Sequence, residues 1–341
     1  MSKTEKVIEN TLHAVRSVPF LSSFFKENPR AARLELDVYA CATFLKCYAW
    51  QIENRADTIK KDTVLSFVAD LEKLNAKTRE IYVQKEITRQ ILGLFQQIDR
   101  TNSIGEKSRD NDDDALERMS NLIFGKEVKD YEEKSLLDFT LSVKPSSIPN
   151  AGDGLFIKNL GPRQYISAGS VIAIFPGVVH LKEYTRNQKY VSALFPDPDF
   201  QLTLTAGGHV IDSRQLDKIP YNPIALAHKV NHVPEGKTPN AIAISYGFST
   251  FRTGEDGFPY RFRKYIPNIY AKPPFATDRS QIMRTKVLVT SRPISDGEEI
   301  FIDYRLNVDT MKYPFWYIPY VSPYSIDSSD SSTTTPTTRS N

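Results

Sequence analysis

Cysteine is almost absent from this sequence. Only Cys41 and Cys47 occur among its 341 residues. A disulfide framework needs several pairs of cysteines, and a structural zinc site takes four Cys or His ligands at short spacings. The sequence therefore excludes a small disulfide-stabilised fold and a multi-cysteine zinc cluster. It favours a reducing, intracellular compartment, either nuclear or cytoplasmic.

Long apolar runs and dense basic clusters are also missing. The apolar runs are strand-sized, well short of the roughly 18 residues that a membrane span requires. Lys and Arg number 44 against 41 Asp and Glu, far from the basic surface of a dedicated nucleic-acid-binding protein. We expect neither a membrane anchor nor direct nucleic-acid binding. Residues 1–25 are predicted as an amphipathic surface helix, since Glu5 and Glu9 argue against a mitochondrial presequence.

The first part of the chain has a helical pattern. Proline is absent from residues 30–140, and apolar residues recur there at helical spacing, as in Val64 and Val68. We expect a helical N-terminal region over residues 1–136. The acidic run at 110–114 is predicted as a solvated loop.

The remainder has a β pattern. Short runs rich in Val, Ile, Phe and Tyr are separated by Pro, Gly and Asn, and few long helices can lie between them. The predicted strands are 138–143, 155–158, 171–175, 202–205, 210–212, 241–246, 286–290 and 299–303. We expect a mostly β domain over residues 137–310, an aromatic extension at 311–324 and a disordered Ser/Thr-rich tail at 325–341. The predicted fold class is α+β.

The first candidate site segment runs from Asn150 to Phe156. It places Gly152 and Gly154 on either side of one residue, directly before a strand. Glycine lets the backbone approach a ligand closely, but the same pattern also makes an ordinary hairpin turn. A dinucleotide-binding turn would need another glycine at position 157, which is Ile157.

Two further segments carry polar residues of interest. The segment from Ala227 to His232 contains His228, but isolated histidines are more often hydrogen-bonded structural residues, and too few Cys or His residues lie nearby to support a metal site. The segment from Gly297 to Tyr304 is predicted as a turn followed by a half-buried strand. Taken singly, each segment has a plain structural interpretation.

Taken together, in this order and spacing, the three segments resemble the SET-domain family of protein lysine methyltransferases. The family pattern has a Gly-x-Gly turn entering a strand, an Asn-His followed by Pro-Asn, and a Gly-Glu-Glu strand that ends in Asp-Tyr. The resemblance covers residues 142–306. The Ile-Pro-Asn-Ile at 266–269, the long spacing from His232 to Pro239 and the preceding helical region are similar to the SET domain-containing protein 9 subfamily.

The resemblance implies a SET-type domain with a knot-like pocket for S-adenosylmethionine. Asn231 would contact the methionine part of this cofactor, and the backbone of His232 would meet the adenine. Tyr304, the expected catalytic residue, would also contact the cofactor where the methyl group passes to a lysine of a protein substrate. The other cofactor-binding residues that the resemblance implies are Gly152, Asp153 and Gly154.

An aromatic substrate channel would help such a reaction. Apolar walls beside a cationic sulfonium would lower the pKa of the incoming lysine by desolvation and like-charge repulsion. The candidate channel walls, each of which could equally be plain core, are Tyr246, Phe248 and Tyr265. The family's cysteine-rich zinc module is absent after the domain, so a lid would have to be aromatic. The candidate lid residues are Phe315, Trp316 and Tyr317.

Two departures from the family pattern keep other functions open. Val233-Pro234 stand where the family commonly has Ser-Cys, and Ile302 stands where it often has tyrosine. The alternative is a SET-fold interaction module that still binds the cofactor without catalysis. A third hypothesis assigns the function to the helical region, which would recruit a partner while the β domain serves as a scaffold.

Overall fold

The first described part of the chain is helical. The structure, a computed structural model, describes residues 29–56, 58–107, 139–158, 160, 164–185, 202–204, 207–214, 216, 221–249, 258–271, 282–306 and 317–320. The predicted helix at 1–25, the acidic run at 110–114 and the tail at 325–341 lie outside these residues. The long helices are α1 Pro29–Asn54, α2 Lys61–Glu72 and α3 Ala76–Lys107. None of the described helices combines the length and the apolar composition that a membrane span needs.

Helix α3 is the longest of the described helices and contributes most of the core of the helical region. Asn75 stands just before it and accepts a hydrogen bond from the Thr78 N–H at 2.9 Å, which satisfies one of the free donors of the first turn. Its apolar residues repeat every three or four positions and form one buried stripe. The stripe consists of Val83, Ile87, Ile91, Phe95 and Ile98. Helix α1 packs beside α3 and contributes Leu45 to this core. Helix α2 contributes Leu71 to the same core.

The second part consists of short strands and 3-10 turns. The strands are β1 Thr140–Pro145, β2 Asp153–Lys158, β3 Tyr165–Ile166, β4 Val171–Ile174, β5 Gly177–His180, β6 Leu202–Leu204, β7 Val210–Asp212, β8 Asn231–His232, β9 Ala241–Ser249, β10 Asn268–Tyr270, β11 Ile282–Thr290, β12 Ile294–Ser295 and β13 Phe301–Ile302. A one-turn helix, α4 Lys182–Thr185, follows β5, and 3-10 helices occupy Ala227–Lys229 and Tyr260–Tyr265.

These strands form several small sheets. The strand order is β4-β11-β9 in a three-stranded sheet and β10-β5-β7-β6 in a four-stranded sheet. The two-stranded sheets are β1-β2, β12-β3 and β13-β8. Most neighbours run antiparallel, but β10 with β5 and β13 with β8 are parallel. The predicted order of helices followed by a strand-rich part is confirmed, and the fold class is α+β.

Two glutamines of α3 complete the three-stranded sheet at both edges. The Gln84 side chain donates to the Ser245 carbonyl of β9 at 2.8 Å and accepts from the Gly247 N–H at 3.3 Å. The Gln90 side chain donates to the Gly169 carbonyl at 2.9 Å and accepts from the Val171 N–H of β4 at 2.7 Å. Each primary amide therefore takes the place that the backbone of a further strand would occupy.

The helical and strand-rich parts share one hydrophobic core. The buried stripe of α3 packs with β9, β11 and the 3-10 helix Tyr260–Tyr265. A second core lies between β2, β4, β7, β11 and the segment that includes β13. Because the first core contains residues of both parts, the helices and the strands pack against each other in one fold.

Candidate active site

Three stretches of chain far apart in sequence meet at one place. Strand β8 pairs in parallel with β13, so that Asn231 lies opposite Phe301 and His232 opposite Ile302. Strand β2 joins the same assembly, since the Ile300 N–H donates to the Leu155 carbonyl at 2.7 Å. The glycine turn, the Asn-His segment and the strand that leads to Tyr304 are therefore neighbours.

A cavity of about 180 Å³ opens where these stretches meet. Its lining residues are Ala151, Asp153, His228, Lys229, Val230, Asn231 and Tyr304. The Lys229 Nζ lies 3.6 Å from an Asp153 carboxylate oxygen, and the Asp153 side chain is half exposed. One wall of the cavity thus presents both a positive and a negative charge.

Tyr304 lies at the cavity with its hydroxyl held by the backbone. The hydroxyl donates to the Val230 carbonyl at 2.7 Å. Burial raises the pKa of Tyr304 to about 12, so the phenol stays protonated at neutral pH. The Tyr304 ring lies 5.5 Å from the His232 ring, centroid to centroid. This arrangement supplies a fixed, neutral hydroxyl at the edge of the cavity.

Asn231 is anchored to β2 through its side chain. Its amide donates to the Asp153 carbonyl at 3.0 Å and to Glu299 Oε1 at 3.3 Å. The Glu299 carboxylate also accepts from the Ser146 hydroxyl at 2.6 Å and the Ser147 N–H at 2.8 Å. Buried Glu299 therefore joins the turn after β1 to the Asn-His segment, a role that the sequence did not reveal.

His232 is buried, and its side chain faces the C-terminal part of the chain. Its Nδ1 accepts from the Tyr304 N–H at 3.2 Å, so the proton must be on Nε2, which donates to the Ile318 carbonyl at 2.7 Å. The Tyr317 ring packs on His232 with centroids 4.5 Å apart. Of the candidate lid residues, Tyr317 thus contacts His232, whereas Phe315 and Trp316 lie outside the described residues.

The two glycines of the turn have different roles. Gly152 has a φ of +72°, a left-handed conformation that favours glycine, and a Cβ there would meet open space. A Cβ on Gly154 would overlap the Glu299 carboxylate. Neither glycine lines the cavity directly, while the residue between them, Asp153, does.

His228 lies in the cavity wall with an unsatisfied polar atom. Its Nδ1 is enclosed and has no hydrogen-bond partner among the described residues. Burial, with a smaller contribution from Lys229, lowers the pKa of His228 to about 4, so the ring is neutral at pH 7. Sequence reasoning treated His228 as structural and missed Lys229 and Val230. Their position directly before the Asn-His pair could have identified Lys229 and Val230 as cavity residues.

The structure places the three aromatic residues predicted as channel walls away from this cavity. Tyr246, Phe248 and Tyr265 are buried in the core under α3, and none of them lines the cavity. Phe248 stacks 6.3 Å from Phe95, the Tyr265 ring lies 5.6 Å from the same residue, and the Tyr246 hydroxyl lies 2.8 Å from that of Thr88. Helix α3 covers this face of β9, and the role of these residues as channel walls stays a prediction.

No metal site accompanies the cavity within the part of the chain that the structure describes. No group of three or more His, Cys, Asp or Glu residues there could hold a metal ion. Both described cysteines are buried and free. The side chains that line the cavity offer a hydroxyl, an amide, an imidazole, a carboxylate and an ammonium group.

The α+β architecture, with helices before a strand-rich part, is consistent with a SET-type protein. No family model matches the chain. It is similar to SET domain-containing protein 9 of Homo sapiens, with 25% identity over 197 residues, covering 49% of this chain and 58% of the human protein. The protein of the same name from Pongo abelii is also 25% identical over 197 residues, covering 49% of this chain and 64% of that protein. The matched part thus spans less than two thirds of either relative, and the similarity suggests a SET-domain relationship.

Proposed function

We propose that this chain is an S-adenosylmethionine-dependent methyltransferase that acts on a lysine of a protein substrate. The observation that carries this proposal is the meeting of the 151–154 turn, the 228–232 segment and Tyr304 around one cavity. These are the segments by which the sequence resembles the SET family. In this proposal, the parallel pair β8-β13 is the crossing point of the knot-like cofactor pocket.

The residues of the cavity suit such a cofactor. The opposite charges of Lys229 and Asp153 match the carboxylate and ammonium of an amino acid moiety. The cavity of about 180 Å³ is smaller than the roughly 300–1,000 Å³ of typical small-molecule sites, so the lining residues would hold part of the cofactor.

When bound, S-adenosylmethionine supplies a methyl group on a cationic sulfonium. The task of the chain is to orient the groups that react, because the leaving group is already good. The Val230 carbonyl and the Tyr304 hydroxyl, joined by their hydrogen bond, present fixed dipoles at the cavity. Asn231 holds β2 and its turn against the same wall through the Asp153 carbonyl.

The lysine must lose a proton before it can attack. With an ordinary pKa near 10.4, this costs roughly 4 to 5 kcal/mol at neutral pH. Tyr304 remains protonated, so it contributes orientation and a dipole, and it supplies no negative charge that would raise the lysine pKa. Neutral His228 likewise adds no charge of its own.

The test is methyl transfer from labelled cofactor to a peptide array. Wild-type protein should label at least one lysine peptide, and Tyr304→Phe should reduce the rate by about a hundredfold, the order expected when one oriented dipole is lost from a reaction centre. Tyr246→Phe is the matched control, because it removes a buried tyrosine hydroxyl that bonds to Thr88 away from the cavity. Equal rates for wild type and Tyr304→Phe would remove the role assigned to Tyr304.

A second candidate function is a SET-fold interaction module that binds the cofactor without transfer. Val233 and Ile302, the positions that depart from the family pattern, are 3% and 6% exposed and packed as apolar residues. Titration calorimetry with S-adenosylmethionine and its demethylated product separates the two functions. Binding without labelling of any peptide would favour the module, and absence of binding would contradict both proposals.

A further inference from the structure

A partly buried ion pair connects the helical region to the segment that carries Tyr304. The Arg305 guanidinium donates to both carboxylate oxygens of Asp37, which lies in α1 at a separation of 268 positions. The Asp37 side chain is 12% exposed and that of Arg305 33% exposed. A two-pronged contact of this kind fixes direction as well as distance, because the planar guanidinium matches the carboxylate.

The backbone at this point is held in an unusual conformation. Arg305 has a φ of +55°, which a residue with a Cβ rarely adopts, and its N–H donates to an Asp303 carboxylate oxygen at 3.0 Å. The preceding N–H, that of Tyr304, donates to His232 Nδ1. The turn that sets the direction of the Tyr304 side chain is thus restrained from two sides, by His232 and by α1.

The surrounding charges make this contact costly to disturb. Asp303 adds a second negative charge and Lys286 a further positive charge near Asp37. Burial raises the pKa of the Asp37 carboxyl, while Arg305 and Lys286 oppose that rise by attraction. Removing Arg305 would leave the Asp37 carboxylate buried without its main partner, whereas removing Asp37 would leave Arg305 one-third exposed and still 3.6 Å from an Asp303 carboxylate oxygen.

We propose that helix α1 positions Tyr304 for methyl transfer through the Asp37–Arg305 ion pair. This inference rests on the proposed function of the site. It makes Asp37 and Arg305 positioning residues, and it makes the helical region part of the working active site. It also differs from the hypothesis that the helices recruit a partner while the strand-rich part is a passive scaffold.

The experiment compares Asp37→Asn, Arg305→Gln and the double variant in the full chain. Each single variant should lower kcat for peptide methylation by about ten- to a hundredfold, the range expected when a reacting group shifts by up to 1 Å. The cofactor Kd should change little, since neither residue lines the cavity. Glu35→Gln is the matched control, because Glu35 lies on the same helix and pairs with Arg79 of α3. It should lower the Tm with no change in kcat.

The double variant separates positioning from stability. Because it lacks the buried, unpaired Asp37 carboxylate, its Tm should recover relative to Arg305→Gln, yet kcat should stay low. Recovery of kcat together with Tm would overturn the inference. So would single variants with wild-type kcat.

Amide hydrogen exchange provides a readout that does not depend on activity. Asp37→Asn should speed exchange of the Tyr304 and Arg305 amides by about tenfold or more relative to Glu35→Gln, because local opening becomes easier. Unchanged exchange at these amides would overturn the inference. If the wild-type chain binds no cofactor and labels no peptide, the proposed function fails, and the exchange result still decides whether α1 holds Tyr304 in place.

Discussion

His228 is the cavity residue whose charge should make the fold sensitive to mild acid. Its ring is neutral in the folded protein because burial lowers its pKa to about 4, against an ordinary value near 6.5 in the unfolded chain. Between these two values the unfolded chain binds a proton that the folded protein does not. The free energy of unfolding therefore falls as the pH drops from about 6.5 towards 4.

The size of the effect follows from the two pKa values. Between pH 7 and pH 5 the unfolded His228 becomes almost fully protonated while the folded ring stays mostly neutral. This difference lowers the free energy of unfolding by at most about 2 kcal/mol. In His228→Asn, an uncharged amide replaces the ring, so this contribution disappears while other titrating groups stay the same.

Urea unfolding followed by circular dichroism at pH 7 and pH 5 measures this difference. The wild type should lose about 2 kcal/mol more than His228→Asn between the two pH values. Equal losses in the wild type and His228→Asn would refute the buried, neutral state of His228.

Two further predictions concern stability. Gly154→Ala should lower the free energy of unfolding by about 1–3 kcal/mol, because the added methyl overlaps the Glu299 carboxylate. In Gly152→Ala the added methyl meets open space, but the left-handed φ disfavours alanine, so the free energy of unfolding should fall by about 1–2 kcal/mol. A larger loss for Gly152→Ala than for Gly154→Ala in urea unfolding would contradict this. Phe95→Ala should cost about 3–5 kcal/mol, since its fully buried ring contacts Phe248 and Tyr265. A loss below about 1 kcal/mol in the same assay would contradict the packing of α3 on the sheet.

Local patterns predicted the elements best where one face of an element is buried. The apolar spacing around Val64 and Val68 identified the helix that became α2, and the strand 210–212 was predicted with its observed bounds. Strands β9 and β11 extend further than predicted, to Ser249 and from Ile282, because each continues the other's ladder beyond its most apolar residues. The two-residue strands such as β8 are too short to show any periodicity.

The site was predicted through a resemblance, and the structure adds what local sequence could not give. No local pattern indicates that α3 covers Tyr246 and Phe248. The partnership of Asp37 with Arg305 spans 268 positions, and no local pattern indicates which distant charge will face a buried carboxylate. Long-range pairing of this kind depends on the packed fold as a whole.

The glutamine contacts of α3 have a practical consequence for anyone who expresses the strand-rich part by itself. Without Gln84 and Gln90, the outer sides of β9 and β4 would present unpaired amide and carbonyl groups to the solution. A second molecule could supply the missing partners by adding its own strand, and the product would be self-associated material. Removing the helices would thus replace hydrogen bonds within one chain by strand pairing between molecules. The helices should therefore be kept for solubility as well as for any chemistry.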